Sequence, residues 1–294
     1  MLVTPVDTKR FEFVHQDWAP RTDDVFIASF PKSGTTWTQQ VVRLIYSRGL
    51  ILDSDPSLHA IIPWLDDSED LPDLSVVDSM TSPRVFKSHN PYHLLPRKLT
   101  ESNRLIYVTR GAKDTAVSMY FHTFGFKMYE YDKAIEHFIG EFREGRVEYG
   151  PYWTHLASWY AQRERHNIRV LHYEEMQVDL RQRFTGCQFS RATFDPRRNR
   201  RIAQLSTFSS MKKDPRTSMQ LWDEEQRKPG MPFMRKVRPE TGPTTSHLNW
   251  PRNSTENSRK NVWDQRAPGD HSNNPKKRHQ RHPLRSKGVP SRSK

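Results

Sequence analysis

Between Pro31 and Trp37 the chain reads PKSGTTW, a spacing suited to gripping an anion. Gly34 permits a tight backbone turn, and Ser33, Thr35 and Thr36 bring hydroxyls and amides to the start of a following helix. Unpaired amides at a helix start attract negative charge, and Lys32 adds a full positive one, so the expected ligand is a phosphate-like group. The same residues also fit a plainer arrangement. Ser33 or Thr35 would then only cap the helix, with Lys32 standing in solvent.

The elements around this loop read as strand, turn and helix. Residues 24–30 (DVFIASF) form an apolar, strand-forming run ended by Pro31, and from Thr35 to Tyr46 the residues Trp37, Val41, Leu44 and Ile45 fall on one helical side. The pattern recurs at RLIYVT (Arg104 to Thr109), followed by a glycine turn and a helical stretch from Asp114 to His122. It recurs again at NIRVLHY (Asn167 to Tyr173), preceded by a long amphipathic segment from Tyr152 to His166. RVFKSH, Arg84 to His89, is a further strand. Alternation of this kind predicts an α/β domain with a mainly parallel sheet whose ligands sit beyond the carboxyl ends of the strands. The six acidic residues between Asp66 and Asp78 predict a solvated loop or short helix.

Composition narrows the class. The chain has 294 residues, enough for one large domain, and a formal charge of +13. That charge is uneven: residues 237–294 hold 13 Lys or Arg against 4 Asp or Glu, a net of +9, and little apolar surface. This tail is expected to be disordered, after an N-terminal segment (1–20) and a folded domain (21–236). Cys187 is the lone cysteine, which excludes an intrachain disulfide and a cysteine-based zinc site and suits a reducing compartment. No run approaches the roughly 20 apolar residues of a membrane helix, so a cytoplasmic location is expected. The first glycine, Gly34, follows Lys32, which excludes a Walker loop there, and no G-x-G occurs for a dinucleotide fingerprint.

PKSGTTW after a strand resembles the 5′-phosphosulfate loop of the cytosolic sulfotransferase family. The likeness continues in order through FKSHNPYHLLP (Phe86 to Pro96), YVTRGAKDTAVSMY (Tyr107 to Tyr120), LHYEEM (Leu171 to Met176), STFSSMKKDP (Ser206 to Pro215) and PFMRK (Pro232 to Lys236). It implies transfer of a sulfuryl group from 3′-phosphoadenosine 5′-phosphosulfate (PAPS) to a hydroxyl or amine of a small acceptor, with no metal. By match to the family, His89 is the base, a role suited to imidazole because its intrinsic pKa lies near neutrality. Lys32 neutralises the leaving oxygen and Lys87 lies near the sulfuryl oxygens. Ser33, Gly34, Thr35 and Thr36 hold the 5′-phosphate, and Trp37 stacks on adenine. Arg110 and Ser118 match the pair that binds the 3′-phosphate, chemically a guanidinium fork with a hydroxyl eight residues on. Tyr173, Thr207, Phe208 and Met211 match positions around adenine and ribose, and Arg235 with Lys236 opens a further 3′-phosphate loop. Acceptor-lining aromatics are expected around Trp64, Tyr92, Phe121, Phe124 and Phe126, suggesting an apolar or phenolic compound.

The likeness breaks at Val237-Arg238-Pro239-Glu240, where the family has glycine followed by G-x-W-K. The short dimerisation motif is missing as well, which leaves homodimer formation open. Two accounts fit: an altered or mis-assembled C-terminus, favoured by the abrupt change, or a genuine basic extension. The alternative function is accordingly a catalytically impaired nucleotide-binding protein whose basic tail holds anions or nucleic acid. Neither membrane nor nucleic-acid partners are otherwise implied. A nucleotide kinase of related architecture is disfavoured by the missing Walker glycine.

Overall fold

Four short apolar runs pair into one sheet: β1 (Val25–Ser29), β2 (Val85–Ser88), β3 (Arg104–Thr109) and β4 (Ile168–His172). Every pairing is parallel and the order is β2-β1-β3-β4. The computed structural model describes residues 8–66, 74–184, 195–218 and 226–235. Lys236 and the basic segment 237–294 lie outside the described residues, as do 185–194.

Helix α1 (Thr8–Gln16) precedes the sheet. Helices α2 (Thr35–Tyr46), α3 (Leu58–Ile61) and α4 (Leu74–Ser79) lie between β1 and β2. Between β3 and β4 come α5 (Ala112–Gly125), α6 (Ile135–Arg143) and α7 (Tyr152–Tyr160). After β4 come α8 (Tyr173–Val178), α9 (Leu180–Phe184), α10 (Pro196–Leu205), α11 (Phe208–Lys213) and α12 (Pro215–Ser218). The predicted α/β class is the class observed.

All five residues of β1 are buried, as expected where helices cover both faces of a parallel sheet. On one face Val25, Ile27, Ile106, Val108 and Leu171 pack with Val42 of α2 and Met176 of α8. The period-two alternation sends Phe26, Phe86 and Tyr107 to the other face. There Phe86 meets Trp18 at 5.2 Å and Tyr107 stacks on Trp159 of α7 at 4.8 Å. At the amino end of the sheet, Arg84 and Asp24 form a bidentate pair, Nε to Oδ1 2.9 Å and Nη2 to Oδ2 2.5 Å, with side chains 1% and 0% exposed.

One connection differs from expectation. The amphipathic stretch from Tyr152 stops being α-helical at Tyr160, and Gln162, Arg163 and Arg165 continue in three-residue turns. Past Ala161 the run QRERHN has no apolar side chain to bury, so further helix gains nothing from packing. Beside β2, Leu65 N donates to Lys87 O and Lys87 N to Pro63 O, both at 2.9 Å. This short added rung shields an otherwise open sheet edge. Among the described residues no helix is long and apolar enough to cross a membrane.

Candidate active site

The chain leaves β1 in one direction to reach β2 and later returns to the other side of β1 as β3. Ligand crevices of open α/β sheets form at such a reversal, outside the carboxyl ends of the strands. Here each strand delivers a residue to that end: the 30–34 loop after β1, His89 after β2, Arg110 after β3 and Tyr173 after β4.

The loop after β1 is held by Ser33 N donating to Phe30 O at 3.2 Å, with Lys32 at φ 66° and Gly34 at φ 112°. Glycine is required at 34. A Cβ there would be strained by the left-handed backbone and would lie 2.8 Å from the Tyr173 ring. The plain capping arrangement does not occur: Gly34 is the N-cap of α2 with no side-chain cap, and Thr35 Oγ1 pairs with Ser29 Oγ at 2.6 Å. Ser33 Oγ is buried without a hydrogen-bond partner among the described residues. Nor does Lys32 stand in solvent. Its Nζ lies 3.4 Å from His122 Nδ1 and 4.2 Å from the centre of the Phe233 ring. An orphaned buried hydroxyl and a partly buried cation at a helix start fit an anion well.

Arg110 closes the far side. Its Nη1 donates to Lys32 O at 3.3 Å, its guanidinium sits 4.5 Å from the Tyr173 ring centre, and its buried Nε has no partner among the described residues. Arg235 rests 3.8 Å over the Phe121 ring, and burial together with the Arg110 charge holds its pKa down. Two guanidiniums that repel each other in this way mark a place where a multiply charged anion is favourable. Ser118 lies two turns along α5 and is partly buried. Trp37 meets Tyr173 edge-on at 5.3 Å, and Gly111 N donates to Glu174 Oε1 at 2.8 Å, tying the end of β3 to α8. Thr207 caps α11 by accepting from Ser210 N, Phe208 is exposed, and Met211 is buried. Thr36 is partly buried at the start of α2.

His89 is 7% exposed, and its Nδ1 lies 2.8 Å from Ser29 O. A carbonyl only accepts, so Nδ1 carries the proton and Nε2 keeps its lone pair. Burial, then the positive charge of Lys87, holds the His89 pKa well below the usual histidine value, so the ring is neutral near pH 7. Lys87 Nζ is 3.5 Å from the centre of the Trp64 ring, and Trp64 in turn meets His89 edge-on at 5.3 Å. A neutral imidazole with a free nitrogen beside a cation can take a proton.

Three supporting residues were not foreseen. Asp66, expected in a solvated acidic run, instead accepts from Trp64 Nε1 (3.2 Å), Ser88 Oγ (2.8 Å), Asn90 Nδ2 (2.9 Å) and the backbone N of His89. Burial pushes its pKa up to about 6 in spite of these donors. His155 donates from Nε2 to His89 O at 2.9 Å and accepts at Nδ1 from Tyr107 OH at 3.1 Å. Burial lowers its pKa to about 4. His122 was visible only as a residue one helical turn beyond Ser118. Composition masked Asp66: it follows the apolar run IIPWL and belongs to that segment, with acidic neighbours on its other side.

The expected acceptor aromatics divide. Trp64 meets His89 edge-on, and Phe126 meets His122 edge-on at 4.5 Å. Phe121 and Phe124 carry the cations Arg235 and Lys228 on their faces, and Tyr92 packs on Trp159 at 5.3 Å. Tyr149, at φ 63°, meets the His89 ring at 5.5 Å.

A sulfotransferase domain model matches residues 22–241, and the chain belongs to the sulfotransferase family. It is 34% identical over 235 residues to mouse sulfotransferase 1E1, covering 78% of this chain and 79% of that protein. Rat sulfotransferase 1 family member D1 is 32% identical over 75% of this chain and 77% of its own. Retinol dehydratase in complex with retinol and PAP shares the fold with a TM-score of 0.73 at 21% identity, over 90% and 86% of the two chains. Mouse sulfotransferase SULT7A1 complexed with PAP superposes with a TM-score of 0.61 at 24% identity, over 71% and 72%.

Proposed function

We propose that this sulfotransferase takes its sulfuryl group from PAPS and passes it to a hydroxyl or amine of a small, apolar or phenolic acceptor, with His89 as general base. The carrying observation is the His89 tautomer: Nδ1 is bound by Ser29 O, leaving Nε2 to accept the acceptor proton. When bound, the donor supplies an activated sulfuryl group on a nucleotide that departs as an anion. Ser33, Gly34, Thr35 and Thr36 hold its 5′ end at the start of α2, with Trp37 and Tyr173 beside the adenine. Arg110, Ser118 and Arg235 hold the 3′-phosphate. Lys32 and Lys87 offset the negative charge that grows at the reacting centre, as in phosphoryl transfer. Lys236 belongs to the same reading by sequence alone, and residues 21–236 form its catalytic domain.

The test is transfer of labelled sulfate from PAPS to a panel of phenols, sterols and amines. Wild-type protein is expected to form product, and His89→Ala to lower kcat by about 10²- to 10⁴-fold. Activity indifferent to that change removes the base. Because the charge is handled by side chains, turnover is expected to survive EDTA, and arrest by EDTA would favour a metal-dependent reaction instead.

A further inference from the structure

His122 is a second imidazole at this site with no part in the scheme above. It sits on α5 with its Nδ1 3.4 Å from Lys32 Nζ. A lysine ammonium only donates, so Nδ1 is the acceptor and the ring proton resides on Nε2. That Nε2–H has no hydrogen-bond partner among the described residues, and His122 is only partly buried.

The rings packed on His122 are aromatic. The His122 ring lies edge-on to Phe126 at 4.5 Å and to Phe233 at 6.1 Å, with Tyr129 tilted at 6.0 Å. Burial, then the charges of Lys32, Arg227 and Lys87, lowers its pKa well below the ordinary value, so the ring stays neutral and its tautomer fixed. His89 is a further, smaller influence on its pKa. A neutral, oriented donor among aromatic rings rewards a partner that is apolar except for one acceptor atom. It also penalises a partner lacking that atom, because the donor is then left unpaired.

We infer that His122 determines acceptor choice: its Nε2–H selects acceptors that carry a neutral hydrogen-bond-accepting oxygen, such as a ketone, in addition to the hydroxyl that reacts. The inference rests on the sulfuryl-transfer reading for its setting, so its test reads binding without turnover. Phenols bearing a ketone one, two or three carbons from the ring are titrated against their isosteric hydrocarbon analogues, using protein saturated with adenosine 3′,5′-bisphosphate. Wild-type protein is expected to bind at least one ketone roughly fivefold more tightly than its hydrocarbon partner. His122→Phe should reduce that ratio to about one, and His122→Gln, which keeps a neutral N–H donor, should retain a preference. Equal affinity for every pair in wild-type protein overturns the inference, as does a preference that survives in His122→Phe. Measuring product formation from the same phenols separates the two readings: absence of product counts against sulfuryl transfer, whereas absence of a ketone preference counts against His122 alone.

Discussion

The Nδ1 atom of His89 at the end of β2 lies 2.8 Å from the carbonyl oxygen of Ser29 at the end of the neighbouring strand β1. Parallel pairing of Ala28 with Ser88 sets that distance, so the tautomer of the proposed base is a consequence of sheet register. Since burial and Lys87 hold its pKa low, the acid limb of kcat/KM is expected to have its midpoint below pH 6.5. A pH profile measured between 4.5 and 8 checks this. A midpoint above 6.5 would contradict it.

Asp66 holds the backbone N of His89 and the indole of Trp64 with one carboxylate. It is a positioning residue. Asp66→Asn is expected to lower kcat about 10- to 100-fold by loosening the base, while donor KM changes less than threefold. Steady-state kinetics with donor and acceptor varied separately give the split. Equal losses in kcat and in donor affinity would mean a general structural defect.

Four imidazoles in the folded protein, His89, His122, His155 and His172, have pKa values below the ordinary value, chiefly through burial. Below pH 6.5 the unfolded chain therefore binds more protons than the folded one, and stability falls as pH falls. The loss is about 1.4 kcal/mol per pH unit for each group in its window. Asp66, raised to about 6, acts oppositely between pH 6 and its unfolded value, one group against four. The urea midpoint is expected to drop between pH 7.5 and 5, and an unchanged or higher midpoint would oppose this account.

Asp24 and Arg84 are paired in the dry amino end of the sheet, far along the strands from the site. Asp24→Ala leaves a buried guanidinium short of its main partner and is expected to cost about 3–5 kcal/mol in stability. Urea unfolding provides the number. A cost under about 1 kcal/mol would show that water or Asp78, 3.0 Å from Arg84 Nη1, replaces the missing carboxylate.

Much of this was legible in the chain because strand, loop and helix follow one another in local order. Residues 24–30 and PKSGTTW announce β1, its turn and α2 without any distant information. Residues whose roles depend on contacts between distant segments were not legible. Asp66 serves His89 from 23 positions away, and His155 reaches the same residue from 66. Aromatic type alone groups Phe121 with Phe126, yet Phe121 in α5 and Phe126 at its C-cap meet different partners, Arg235 and His122. The apolar residues from Tyr152 to Trp159 mark α7, and the helix ends where such residues run out.

The proposed pocket grips both ends of a doubly phosphorylated nucleotide. Calorimetric titration of the full chain with adenosine 3′,5′-bisphosphate and with AMP tests it most directly. The bisphosphate is expected to bind at least tenfold more tightly, with the difference largely abolished in Arg110→Ala, because charge-assisted contacts to the extra phosphate are worth roughly 1.5–3 kcal/mol each. Equal affinity for the two nucleotides, or no change in Arg110→Ala, would contradict the account.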